Sequence, residues 1–205
     1  MSSKRSAPRR LAAATLLGAE RFELIGHSMG AYVGLATLGL AQERLGRVVL
    51  IDALAPPEAR ALGPIGAGLQ RLERVFPSED AYVAAIRDAG VISPWNDVWE
   101  RHYRYETLPV PGGVRARTDV AAVREDFEYG KTHDARDYWA CVGPRTLVLR
   151  AARPLGAAGS VLSAADFERF GQEVPQAQRL EVDANHYSVM THPDTLRALA
   201  AFFST

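Results

Sequence analysis

The sequence predicts an α/β fold: a partial doubly wound, mostly parallel sheet interrupted by one long helical insertion. Short apolar runs of strand length alternate with helix-length segments at both ends of the chain. A glycine-flanked turn, Gly26-His27-Ser28-Met29-Gly30, joins the first such run to the first strongly apolar helix. Between about residues 57 and 142 the strand signal fades while helix signals continue. The 205 residues are 47% apolar and 23% charged, enough apolar material to bury a core. With 24 basic and 24 acidic residues there is no net field to attract nucleic acid or acidic lipid, so neither partner is expected. The single cysteine, Cys141, can form no internal bridge, which makes a reducing, cytoplasmic compartment the default. No stretch reaches the roughly 18 to 20 apolar residues of a membrane span.

Taken in order, Lys4, Arg5, Arg9 and Arg10 followed by Leu11 to Ala19 imitate a secretory signal. The stronger reading is the last part of a helix, because cleavage near Ala19 would start the mature protein almost inside the next strand. Phe22, Leu24 and Ile25 form that strand, ending at Gly26. Ala31 to Gln42 reads as a helix, and Arg47 to Ile51 as a β-branched strand with Asp52 at its end. The insertion follows, with Ser78 to Asp88 carrying a cap, first-turn acids and the stop residue Gly90. Pro111-Gly112-Gly113 is a turn between its elements. Strand character returns at Thr146 to Leu149, a capping box at Ser163 and Asp166 opens a helix ending near Gly171, and Arg179 to Val182 is the last strand. The loop Asp183-Ala184-Asn185-His186 then leads to a terminal helix from Pro193 through Phe203. Residues 1–56 and 143–205 therefore make the core and 57–142 a helical cap.

In parallel sheets the loops at the strands' C-terminal ends carry the chemistry, and Ser28, Asp52 and His186 all fall there. Serine is a weak nucleophile unless a base takes its proton and its hydroxyl stands clear of the backbone. A cramped strand-to-helix turn meets the second need, and Gly26 and Gly30 are expected because it leaves no room for a β-carbon. The helix start adds N–H groups that stabilise negative charge.

These words, together with Val48-Val49-Leu50-Ile51-Asp52, Thr146-Leu147-Val148-Leu149 and Asn185-His186-Tyr187, resemble the α/β-hydrolase fold superfamily from about residue 11 to the end. The resemblance implies that the four core strands are the fifth to eighth of the family's sheet, with the cap between the sixth and seventh. It also implies hydrolysis of an ester, thioester, lactone or related acyl bond of a small apolar substrate, without cofactor, through an acyl-serine.

Of five histidines, His186 is the expected base, since it follows the last strand among small neighbours. His27 lines the site, His192 flanks the terminal helix, and His102 and His133 belong to the cap. No histidine pair has metal-ligand spacing beside a carboxylate. For the acid, the place after the seventh strand reads Arg150-Ala151-Ala152-Arg153-Pro154 with no carboxylate, which favours Asp52 after the sixth. Asp183 would have to fold back sharply, and Asp166 is explained by its capping box. The Met29 amide supplies one oxyanion donor; the family's second comes from a loop after the third strand. Only 27 residues precede Ser28, so the resemblance implies that the first four strands have no counterpart. A misplaced start or a truncated gene, a second chain supplying the missing half, and a remnant are the explanations, in that order. The strand at Phe22 would present an unpaired edge through which copies could associate. Trp95, Trp99 and Tyr103 recur at four-residue spacing and are candidate pocket residues, although such a stripe is more often packing. Glu100 and Arg104 read as a solvated ion pair. The competing function is an inactive or truncated hydrolase remnant that serves as a binding module.

Overall fold

The computed structural model describes residues 3–143, 145–155 and 159–204. The side chains of Lys4, Arg5, Arg9 and Arg10, on which the secretory-signal reading rests, lie outside the described residues. A helix α1 (Ser3–Leu16) precedes strand β1 (Phe22–His27), helix α2 (Met29–Ala41) and strand β2 (Leu45–Ile51). After an inserted segment come β5 (Thr146–Ala151), α7 (Ala164–Glu173), β6 (Gln178–Val182) and α8 (Pro193–Ser204). The four strands pair in parallel in the order β1-β2-β5-β6, as expected for a partial doubly wound sheet.

Alternation along the strands divides the core. Leu24, Val48, Leu50 and Val148 pack with α2 and α7 through Leu35, Leu38 and Phe170. Val49, Ile51, Leu147 and Leu149 face the other way, towards α8 and Phe202. β2 and β5 are sandwiched between helices and read as continuous apolar runs. Gly34 lets α2 close onto the sheet, since a β-carbon there would lie 2.9 Å from the side chains of Leu24 and Leu50.

The insertion holds α3 (Leu62–Leu72), α4 (Glu79–Asp88), α5 (Asp97–Tyr105) and α6 (Val120–Gly130). It is not wholly helical, which corrects the sequence reading. An antiparallel hairpin joins β3 (Thr107–Val110) to β4 (Gly113–Ala116), and the Pro111-Gly112 pair is its turn. Gly113 is required there: its φ is 145°, and a β-carbon would meet the Phe76 carbonyl at 1.9 Å. The insertion has a core of its own, centred on Phe76, Tyr82, Trp99 and Tyr103. Ser78 caps α4, its hydroxyl accepting from the Ala81 N–H. No described helix is long and apolar enough to cross a membrane.

Candidate active site

Three chain segments converge at the C-terminal edge of the sheet. The first is the turn from β1 into α2. Ser28 has φ 55° and ψ −120°, a strained conformation for a residue with a side chain, and it sits immediately before the first residue of α2. The turn is held open by Gly26, where a β-carbon would come within 2.2 Å of the Gly30 carbonyl oxygen. Gly30 differs from expectation, because a β-carbon there would meet nothing within 4 Å. Only the first of the two glycines is sterically obligatory: the turn folds back so that Gly26 lies under the main chain of Gly30, while the α-carbon of Gly30 faces open space.

The second segment is the end of β2. Asp52 also has positive φ, 53°, and is 1% exposed. Its Oδ1 accepts the Ala151 N–H at 2.9 Å, so the carboxylate-free end of β5 contributes a main-chain donor to it. The loop beyond is pinned by the Tyr32 hydroxyl on the Ala55 carbonyl (2.7 Å) and by Trp139 Nε1 on the Leu54 carbonyl (3.0 Å).

The third segment follows β6. Asn185 Oδ1 accepts from the N–H groups of Tyr187 and Ser188, and the Ser188 hydroxyl accepts from the Asn185 N–H. This closed loop presents His186, 5% exposed, to both partners. His186 Nδ1 lies 2.9 Å from Asp52 Oδ2, and Nε2 lies 2.9 Å from Ser28 Oγ. With the proton on Nδ1, the ring donates to Asp52 and accepts from the serine hydroxyl. Burial pushes the Asp52 carboxyl above the usual carboxylate range, while the His186 hydrogen bond, the Ala151 N–H and the Arg150 charge pull it back. The arrangement can move a proton from Ser28 to His186 and stabilise the resulting imidazolium with a carboxylate shielded from water. Met29 opens α2, where an N–H has no intrahelical acceptor and the helix dipole favours negative charge.

His27 stands behind this constellation. Its Nε2–H donates to the main-chain carbonyl of His186 at 2.7 Å, and the two rings lie 4.5 Å apart. Enclosure and the neighbouring His186 charge lower its pKa to about 3, so it is a neutral donor. Asp183 pairs instead with Arg153 at an exposed position, Asp166 accepts from Arg136 and closes its capping box with Ser163, and His192 accepts the Asp194 N–H. Glu100 pairs with Arg104, joined by Glu79 and Asp80.

A cavity of about 340 Å³ opens beside Ser28, its walls mostly apolar but including Asp126, Lys131 and His133. Met29, Tyr32 and Ala36 line it from α2, with Tyr129 and Tyr138 from the insertion and Val161 from the loop before α7. Sequence reasoning passed over all of these but Met29. Trp95, Trp99 and Tyr103 stand elsewhere, stacked on one another in the insertion's core, and neither they nor His27 line the cavity. His133, assigned by the sequence only to the cap, is among the residues that line the cavity. No group of three or more potential metal ligands clusters among the described residues.

A model of the family described as alpha/beta hydrolase fold matches residues 11–193. Among solved structures, E-2-(acetamidomethylene)succinate hydrolase superposes with a TM-score of 0.85 at 22% identity, over 100% of this chain and 74% of that one. The thioesterase domain from the curacin biosynthetic pathway gives 0.70 at 20% identity, and the enol-lactonase from Burkholderia xenovorans LB400 gives 0.64 at 20%, each over 100% of this chain and 74% of its own. Likeness at these identities is a likeness of fold. No curated protein matches.

Proposed function

The chain belongs to the alpha/beta hydrolase fold family, and from that membership we propose a serine hydrolase that cleaves an ester, thioester or lactone of a small apolar acyl group. The observation that carries this reading is the unbroken line Ser28 Oγ, His186 Nε2, His186 Nδ1, Asp52 Oδ2, with 2.9 Å at both joins. Ser28 Oγ attacks the acyl carbon as His186 Nε2 takes its proton. The intermediate's oxyanion accepts from the Met29 N–H, a type of contact worth roughly 3 kcal/mol. His186 then returns the proton to the departing alcohol or thiol, leaving acyl-Ser28. Water repeats the sequence to release the acid. Asp52 holds the ring with Nδ1 protonated throughout. The apolar cavity beside Ser28 supports an apolar acyl substrate, and the thioesterase and enol-lactonase among the structural neighbours fall in the same class. The insertion, residues 57–142, is read as the cap over this edge.

Fluorophosphonate labelling together with hydrolysis of p-nitrophenyl acetate tests the reading. Wild type is expected to label and turn over, Ser28→Ala to do neither, and Asp52→Asn to lose about 10⁴ in kcat while remaining folded. A wild type inert to both reagents would instead support a binding module that keeps the nucleophile turn without using it. Asp52→Asn activity within a few-fold of wild type would remove the acid from Asp52.

A further inference from the structure

We infer that the cavity running along α2 is an acyl-chain channel, and that the substrate is an ester or thioester of a medium-chain acid whose length limit is set by Ala36 and Tyr138. The inference rests on the serine mechanism and adds the side and the length of the substrate. Three observations carry it.

The first is direction. Met29, Tyr32 and Ala36 recur at helical spacing, so they present one face of α2 to the cavity, and that face begins at Ser28. From Ser28 to Ala36 the helix rises about 12 Å, which makes the space a channel leading away from the nucleophile.

The second is sidedness. His186 is not among the residues that line the cavity. Its Nε2 meets Ser28 Oγ from elsewhere, and the leaving group must lie on the His186 side to receive the proton. What remains bonded to Ser28 is the acyl group, whose oxyanion turns to the Met29 N–H at the cavity's near end. The channel is therefore left to the acyl chain.

The third is closure. Of the lining, Ala36, eight residues along α2 from Ser28, and Val161 are buried, whereas Pro56, Lys131 and His133 are exposed. The Tyr138 ring lies directly on Gly39, where a β-carbon would come within 2.8 Å of its Cδ1, so that ring is seated over the helix just beyond Ala36. Lys131 pairs with Glu128 and so presents no free cation to an anionic acyl end.

The test uses p-nitrophenyl esters from acetyl to hexadecanoyl, and in parallel alkyl acetates from ethyl to octyl. In wild type, kcat/KM is expected to rise about fourfold per methylene along the acyl series as far as octanoyl, to fall for longer acyl chains, and to stay flat along the alcohol series. Ala36→Phe, filling the channel, should lower the octanoate-to-acetate ratio at least tenfold, and Tyr138→Ala should move the optimum to longer acyl chains. Should the phenylalanine variant fail to fold, Ala36→Leu and Tyr138→Ala still give opposite shifts. Chain dependence on the alcohol side, or an acyl ratio unmoved in these variants, overturns the channel while leaving the serine mechanism standing. Absence of turnover with every ester, or turnover retained by Ser28→Ala, removes the mechanism and the channel together.

Discussion

At the site, one imidazole is kept neutral as a hydrogen-bond donor while the other faces Ser28. His27 and His186 are 4.5 Å apart, and two positive rings at that distance would repel in an enclosed setting. His27 avoids this by remaining an Nε2–H donor to the His186 carbonyl, with its pKa lowered from 6.5 to about 3. That shift has a cost on acidification. In the unfolded chain His27 takes up a proton near pH 6.5, whereas in the folded chain it resists until about pH 3. Between those values the unfolded state binds more protons, so stability falls as pH falls, and the contribution is complete only above pH 6.5. At pH 5 the loss from this group is roughly 2 kcal/mol. Glutamine can donate to the same carbonyl and does not titrate. Thermal melts at pH 7.5 and pH 5 should therefore show a drop several degrees larger in wild type than in His27→Gln. Equal drops in the two proteins would mean that His27 is not held neutral.

Among the elements, the turn between β1 and α2 concentrates the strain, and its two glycines do different work. Gly26→Ala forces a β-carbon to 2.2 Å from the Gly30 carbonyl oxygen, a contact that only a shift of α2 can relieve. The expected cost is about 3 kcal/mol, with Ser28 displaced from His186. Gly30→Ala meets nothing within 4 Å and should be neutral or stabilising by up to about 1 kcal/mol, because alanine suits a helix better. Denaturant midpoints of the two variants decide it; equal losses would contradict the geometry. This is also where the sequence was only partly legible. β2 and β5 could be read because parallel strands covered on both faces are apolar along most of their length, as at Val48 to Ile51, whereas the edge strands β1 and β6, partly exposed, showed only as short runs between helices. Ser28 and Asp52 could be singled out because each directly follows a strand, and His186 because it lies in the short loop after the last one. The hairpin could not, since β3 and β4 are four residues each and Pro109 interrupts one of them. The cavity was hidden for another reason: Tyr32, Tyr129, Tyr138 and Val161 come from separate elements, and no local pattern records that they meet. Trp95, Trp99 and Tyr103 misdirect the eye because helical spacing marks a shared face without saying what that face touches.

For the molecule as a whole, the insertion and the sheet are joined through the loop that carries His186. Tyr187 and Met190 from that loop pack into the insertion's core, and the Trp99 ring meets Tyr187 edge-on at 6.5 Å. Two side-chain bonds reinforce the joint: Asn185 Nδ2 donates to the Val91 carbonyl at 2.9 Å, and Asn96 Nδ2 donates to Thr191 Oγ1 at 3.3 Å. Asn185 thus braces the His186 turn with its oxygen and the insertion with its nitrogen. Because apolar packing crosses the joint, the two parts should unfold in one transition, with tryptophan fluorescence and far-ultraviolet circular dichroism giving the same midpoint. Trp95 and Trp99 report the insertion's own core, whereas Trp139, near the insertion's end, packs into the sheet's core, so a Trp95→Phe, Trp99→Phe protein watches the sheet's core alone. Asn185→Asp isolates the joint. Its carboxylate still accepts from Tyr187 and Ser188, but the donor to Val91 is gone and negative charge faces that carbonyl. A loss of about 2 kcal/mol is expected, or roughly 5 °C for a chain of this size, with Trp95 and Trp99 melting ahead of Trp139. Were the midpoints in Asn185→Asp to stay together and unshifted, the joint would have to be apolar packing alone, and Asn185 would serve only the turn beneath His186.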